Sequence, residues 1–199
     1  MSDTIAAEIL ALVRQKGIVR PRDLPSSNPT VYLNRLVARG ELQKLDRGLY
    51  APVDLELTLS HSFAENCKRL PSGVICLLSA LTFHQFTTQN PSDIWMAFRS
   101  NFTPATHDFP IRATRMTGAS WEYGIEEHEA EGVKFRVYSP AKTVADCFKF
   151  RNKVGLDVAM EALREGWRDR LFTMDHLWWA SRACRVERVM TPYIEMMLA

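Results

Sequence analysis

The chain has 199 residues, 46% of them hydrophobic and 24% charged, with a formal net charge of +2. That is enough apolar material to core one large or two small domains, and no run of ~20 apolar residues marks a membrane span. The charge is unevenly placed: residues 1–52 carry eight Lys and Arg against five Asp and Glu, whereas residues 53–199 carry 17 against 18. A basic excess confined to the front quarter fits a module that meets phosphate.

The four cysteines (Cys67, Cys76, Cys147, Cys184) form no C-x-x-C pair and lie in apolar stretches. They are expected as buried, reduced thiols and not as zinc ligands. The opening MSDTIAAEIL lacks the basic and apolar regions of a secretory leader, so a cytoplasmic setting is expected.

In chain order, Ile5, Ile9, Leu10, Leu12 and Val13 form a helical stripe that Gly17 ends. Ile18-Val19 reads as a short extended piece, and Arg20–Leu24, with Pro21 in its first turn, as a short helix. Pro25-Ser26-Ser27 makes a turn. Asn28 then caps a helix that Pro29 begins and Gly40 closes. On a wheel of ~100° per residue, Leu33, Leu36 and Val37 face inward, while Val31, Asn34, Arg35 and Ala38 face out with Asn28 and Arg39 at the edge. Asn can pair with adenine, Arg with guanine or phosphate, and Val can pack on a thymine methyl. Residues near the start of such a helix reach bases, which nominates Ser27, Asn28, Thr30, Val31, Asn34 and Arg35. Leu42–Leu45 and Leu49–Ala51 follow as a hairpin around Asp46-Arg47-Gly48, with Arg47 at the tip and Lys44 beside it, placed for phosphate. The outline is a winged helix-turn-helix over residues 1–52.

Beyond a connector from Pro52 to Leu55, residues 53–199 read as α+β. Val74–Phe86 and Pro140–Phe150 are expected as helices. Ile94–Phe98, Ile111–Met116, Trp121–Glu126 and Val133–Tyr138 are expected as strands of a mostly antiparallel sheet, with a turn at Glu131-Gly132. Ser139 and Thr173 are candidate caps. Asp157–Trp167, Thr173–Cys184 and Val186–Leu198 form a helical tail that Pro192 should kink or split. Trp167, Phe172, Trp178 and Trp179 are expected in the core, with a partner-binding or base-stacking surface as the alternative.

Catalytic signatures are weak. Lys142 and Asp146 read as a surface i,i+4 pair, and Asp157 and Glu161 as negative charge near a helix N-terminus. Glu129, Glu131 and Lys134 have the wrong spacing for a restriction-type nuclease. The histidines (His61, His84, His107, His128, His176) are scattered, and there is no G-x-S-x-G, P-loop or G-x-G-x-x-G. Neither enzyme activity nor any cofactor or metal is expected. The competing readings are a nucleic-acid-processing enzyme using Lys142 and Asp146, and a protein-interaction adaptor.

The segments RLVARGELQKLDRGLYAP, VICLLSALTFHQF, YSPAKTVADCFKFRNKVGLDVAMEALREGW and ACRVERVMTPYIE together resemble the AbiEi-type antitoxins, over roughly residues 5 to 196. These are the regulator half of type IV (AbiE abortive-infection) toxin–antitoxin systems. The resemblance implies a winged helix that binds double-stranded DNA at repeats in its own promoter and represses transcription. It further implies a C-terminal domain that counters a nucleotidyltransferase-like toxin without a stable complex. On this chain the DNA surface would comprise Arg20, Arg22, the Asn28–Arg39 helix and the Arg47 wing. Lys142, Thr143 and Asp146 match the family's most recognisable body motif, for which no role follows. Some relatives are stand-alone transcriptional regulators.

Overall fold

The computed structural model describes residues 2–54, 59–88, 91–102, 111–130 and 133–198. The Glu131-Gly132 turn, the end of the connector at Leu55 and His107 lie outside the described residues. The chain folds as two compact units, one of Met1–Pro71 with Glu129–Phe135, the other of Ser72–His128 with Arg136–Ala199.

The first unit begins with α1 (Ser2–Lys16), a 3-10 turn (Pro21–Asp23) and α2 (Pro29–Ala38), followed by β1 (Leu42–Asp46), β2 (Leu49–Pro52) and α3 (Leu59–Arg69). The helix expected over Arg20–Leu24 is thus only one 3-10 turn, closed by the Arg20 N–H on the Asp23 carboxylate at 2.8 Å. Val19 pairs antiparallel with Tyr50 through N–H···O bonds of 2.9 and 3.0 Å, which adds the short extended piece to the β1–β2 hairpin. Ala6, Ile9 and Val13 of α1, Leu33 and Leu36 of α2, and Val19, Leu24, Leu42 and Tyr50 make one core. Ile18, Leu49 and Ala51 lie in a second cluster with Ala64 of α3 and with Val133. The helix α3 was not expected. Phe63, Ala64 and Cys67 bury its apolar side at helical spacing, with Leu70 buried just past its end.

The second unit contains β3 (Val74–Ile75), α4 (Leu77–Phe83), β4 (Ile94–Arg99), β5 (Ile111–Met116) and α5 (Ala119–Glu122). It continues through β6 (Ile125–Ala130), β7 (Val133–Tyr138), α6 (Pro140–Lys149), α7 (Arg151–Val154), α8 (Leu156–Arg168), α9 (Met174–Cys184) and α10 (Glu187–Leu198). The tip of β6 and β7 belongs to the first unit.

The sheet runs β5-β4-β3-β7-β6 and is mixed, not mostly antiparallel: β3 is antiparallel to β4 but parallel to β7, and β4 is parallel to β5. Part of the difference lies in the central strand, which occupies a segment expected to be helical. Val74 and Ile75, expected to begin a helix, are fully buried β-branched residues between two neighbouring strands, and a short apolar run does not separate those cases. Cys76 is extended, and Leu77, the first residue of α4, takes φ 48. Trp121, expected in a strand, lies in α5, and the strand begins only after Gly124 turns the chain at φ 72.

The helix α10 runs through Pro192 without a break. Thr173 caps α9 by accepting the His176 N–H at 3.2 Å, whereas Ser139 sits at the start of α6 with no side-chain cap bond. Trp179 is 59% exposed, contrary to the core assignment, and Trp167 and Trp178 are half-buried; only Phe172 is buried. The inward side of α9 is Leu177, Ala180, Ser181 and Cys184, and Trp179 stands ~200° around the helix from Leu177. All four cysteines are free and buried.

Candidate nucleic-acid interface

Asn28 occupies the N-cap of α2 without a side-chain cap bond, and Pro29 begins the helix. At the other end the Gly40 N–H donates to Val37 O and the Glu41 N–H to Leu36 O, both at 3.0 Å, with Gly40 at φ 73. That is a Schellman closure, and it turns the chain directly into β1.

The helix's two sides separate as its wheel predicts. Leu33 and Leu36 are buried and Val37 half-buried. Ser27, Asn28, Thr30, Val31, Asn34, Ala38 and Arg39 are exposed, Val31 at 55%, and Arg35 is half-buried with its guanidinium 5.9 Å from the Tyr32 ring. Arg22, Lys44 and Arg47 are exposed and Arg20 is half-buried. A continuous exposed side of short polar and cationic groups, with one apolar residue at its start, has the chemistry of base and phosphate contact.

Supporting residues not anticipated from the sequence set this surface. The Tyr50 hydroxyl donates to Asn34 Oδ1 at 2.9 Å, which turns the amide so that its Nδ2 donors remain for a partner. Burial raises the Tyr50 phenol above its ordinary pKa, so it stays a donor. At the wing, Asp46 accepts the Arg47 N–H at 2.6 Å and faces Arg69 Nε at 3.4 Å, while Arg69 also donates to Leu45 O at 3.2 Å and pairs with Glu65. The loop bearing Arg47 is therefore tied to α3. Asp23 meets Lys68 Nζ of the same helix at 2.6 Å. Burial alone would raise the Asp23 carboxyl, but the Lys68 hydrogen bond, the Arg20 N–H and the charges of Lys68 and Arg22 outweigh it and hold it below its ordinary value.

Lys142, Thr143 and Asp146 lie elsewhere, in α6 of the second unit, and the surface-pair reading is wrong. Lys142 and Asp146 are both 0% exposed and 2.5 Å apart. Lys142 Nζ sits 3.9 Å from the Tyr138 ring centroid and 3.9 Å from Met116 Sδ. Asp146 Oδ1 accepts the Cys184 thiol at 3.2 Å, and Thr143 Oγ1 donates to Tyr138 O at 3.1 Å. Burial raises the Asp146 carboxyl, with Lys142 opposing, and it pushes the Cys184 thiol up to about 12. A Cβ on Gly124 would come within 2.7 Å of Lys142 Cβ, so the chain must pass this side chain as glycine. The i,i+4 spacing was right, but periodicity does not tell which side of α6 meets the core: all eight residues Ala141–Phe148 are buried. The pair offers no surface to a substrate. Glu161 also has a defined task beyond helix polarity, accepting the Thr88 N–H at 2.8 Å and its hydroxyl at 3.0 Å.

Among the described residues, no three or more His, Cys, Asp or Glu side chains group as metal ligands, and no helix is long and apolar enough to cross a membrane. No curated protein matches the chain. Residues 7–53 match the model of the family described as transcriptional regulator, AbiEi antitoxin. The matched stretch starts inside α1 and ends just past β2, so it takes in the turn, α2 and the wing. A transcriptional-regulator domain implies DNA as its partner. Over residues 7–53, and there alone, the chain is thus similar to the AbiEi antitoxin family of transcriptional regulators.

Proposed function

We propose that the chain is a sequence-specific repressor of its own operon and the antitoxin of a type IV toxin–antitoxin pair, acting on double-stranded DNA through residues 1–52. Residues 53–199 form the antitoxin domain, which opposes a nucleotidyltransferase-like toxin without a stable complex. The observation that carries this reading is the exposed polar side of α2 beside a wing tied to α3 through Asp46 and Arg69, within the stretch that matches the regulator family. In this reading Ser27, Asn28, Thr30, Val31, Asn34 and Arg35 read bases, while Arg20, Arg22, Arg39, Lys44 and Arg47 engage phosphate.

The test is a gel-shift titration against DNA from upstream of the gene and against a scrambled duplex, over a series of salt concentrations. Preferential binding to the upstream DNA is expected, and equal affinity for both would overturn the specific-repressor reading. Arg47→Ala should weaken binding to every sequence and lower the salt slope by about one phosphate contact. An unchanged slope would remove the wing from the interface. Co-expression with a neighbouring nucleotidyltransferase-like gene tests the antitoxin half. Restored growth without co-purification is expected, and continued growth arrest would count against it.

A further inference from the structure

The helix α9 ends, like α4 and α8, in a left-handed residue that is not glycine. Arg185 occupies its C-terminal cap at φ 59, ψ 39, a left-handed conformation in which glycine is the ordinary choice. The Arg185 N–H donates to Arg182 O at 3.0 Å and the Val186 N–H to Ser181 O at 2.9 Å, so the backbone of this turn is fixed. A large side chain held in such a conformation costs strain, but Gln85 (φ 61) and Arg170 (φ 55) close α4 and α8 with the same bonds, so the closure alone marks no site.

The Arg185 side chain lines a cavity of about 160 Å³, together with Arg182, Lys149 at the end of α6, and the Thr117–Ser120 segment. Lys149 Nζ donates to Ser120 Oγ at 2.7 Å; Ser120 is buried and Lys149 half-buried, which fixes the ammonium in the wall. Three cations thus converge from two helices, and no carboxylate is among the lining residues. Arginines near the end of a helix can simply neutralise its dipole. That does not account for the convergence of Lys149 from another helix.

The volume is about half the ~300 Å³ at which pockets for drug-sized ligands begin, so the cavity suits a single anionic group with a few waters. Guanidinium forks match the oxygens of phosphate, and an ammonium adds a point charge. We infer that the Lys149–Arg182–Arg185 cavity is a binding site for a phosphate group, separate from any phosphate contact made by the wing. The source of that phosphate depends on Trp179. Its ring is 59% exposed and lies 5.5 Å from the Arg182 guanidinium. A nucleotide with its phosphate in the cavity can rest its base on this indole, whereas inorganic phosphate makes no use of it.

Isothermal titration of the full-length protein with inorganic phosphate, against a chloride control of equal ionic strength, tests the site. Arg182→Gln and Arg185→Gly should each weaken binding by roughly tenfold or more, the worth of a charge-assisted hydrogen bond. Arg185→Gly also relieves the strained backbone, so its thermal midpoint should equal or exceed the parent's, which separates lost binding from lost fold. Arg47→Ala should leave phosphate binding unchanged. A parallel titration with adenosine 5′-monophosphate identifies the source. Tighter binding than inorganic phosphate that Trp179→Ala abolishes assigns a nucleotide, and equal affinity assigns free phosphate. No heat above the chloride control, or a loss seen in Arg47→Ala but not in the Arg182 and Arg185 variants, would overturn the site.

Discussion

The Tyr50 hydroxyl governs how α2 presents the amide of Asn34, because it occupies Oδ1 and leaves the nitrogen outward. Tyr50→Phe deletes this bond but keeps the ring in the core. The stability loss should be only about 0.5–1.5 kcal/mol, whereas the amide, no longer oriented, should broaden the preferred DNA sequence. Urea midpoints and binding-site selection measure the two effects separately. Lys142 and Asp146 are the opposite kind of pair, sealed from solvent and set against each other and against Tyr138, Met116 and Cys184. Asp146→Leu leaves a buried ammonium without a counter-charge and should cost about 3–5 kcal/mol, while Lys142→Met with Asp146→Leu should recover most of it. Urea unfolding of the four proteins closes this cycle. A double variant no better than Asp146→Leu alone would show that the pair acts through shape and not through charge balance.

At the scale of elements, what was legible in the sequence was what is encoded locally. Pro29 and Gly40 bound α2, the Leu33/Leu36 stripe sets its inward side, and Gly48 permits the tight wing loop at φ 72. The misread elements owe their structure to distant partners. Val74-Ile75 becomes a strand because β4 and β7 flank it. Lys142–Asp146 has the same spacing in water or in a core. The helix α3 was missed, yet it holds the 3-10 turn through Lys68–Asp23 and the wing through Arg69–Asp46. The first of these ties carries a pH signature. The Asp23 carboxyl is held below its ordinary value, so its contribution is fully present above the unfolded carboxylate pKa of about 3.9 and is lost as pH falls through the lower folded value. Below about pH 4 the urea midpoint of the parent should therefore fall more steeply than that of Asp23→Asn, and at neutral pH the variant should be the less stable. Parallel curves would remove Asp23 from the acid transition.

At the scale of the whole molecule, the stretch proposed to contact DNA and the folding unit differ in extent. Residues 1–52 include α2 and the wing but omit α3, leaving Ile18, Leu49 and Ala51 without Ala64 and Val133. A fragment of residues 1–71 restores α3 and its two ion pairs. It should melt at a higher temperature and more cooperatively than a 1–52 fragment when followed by circular dichroism. Equal melting would mean that α3 adds nothing to the winged helix's own core.

Because Glu129–Phe135 belongs to the first unit, that unit is discontinuous in the chain, and this sets an order of events during synthesis. A ribosome that has finished residue 71 must still make the stretch to residue 135 before Val133 can join Ile18, Leu49, Ala51 and Ala64. At about 5–20 residues per second, that is a delay of several seconds. Through that interval the nascent winged helix lacks part of its packing. The unit proposed to face DNA cannot be completed until about two thirds of its own chain exists.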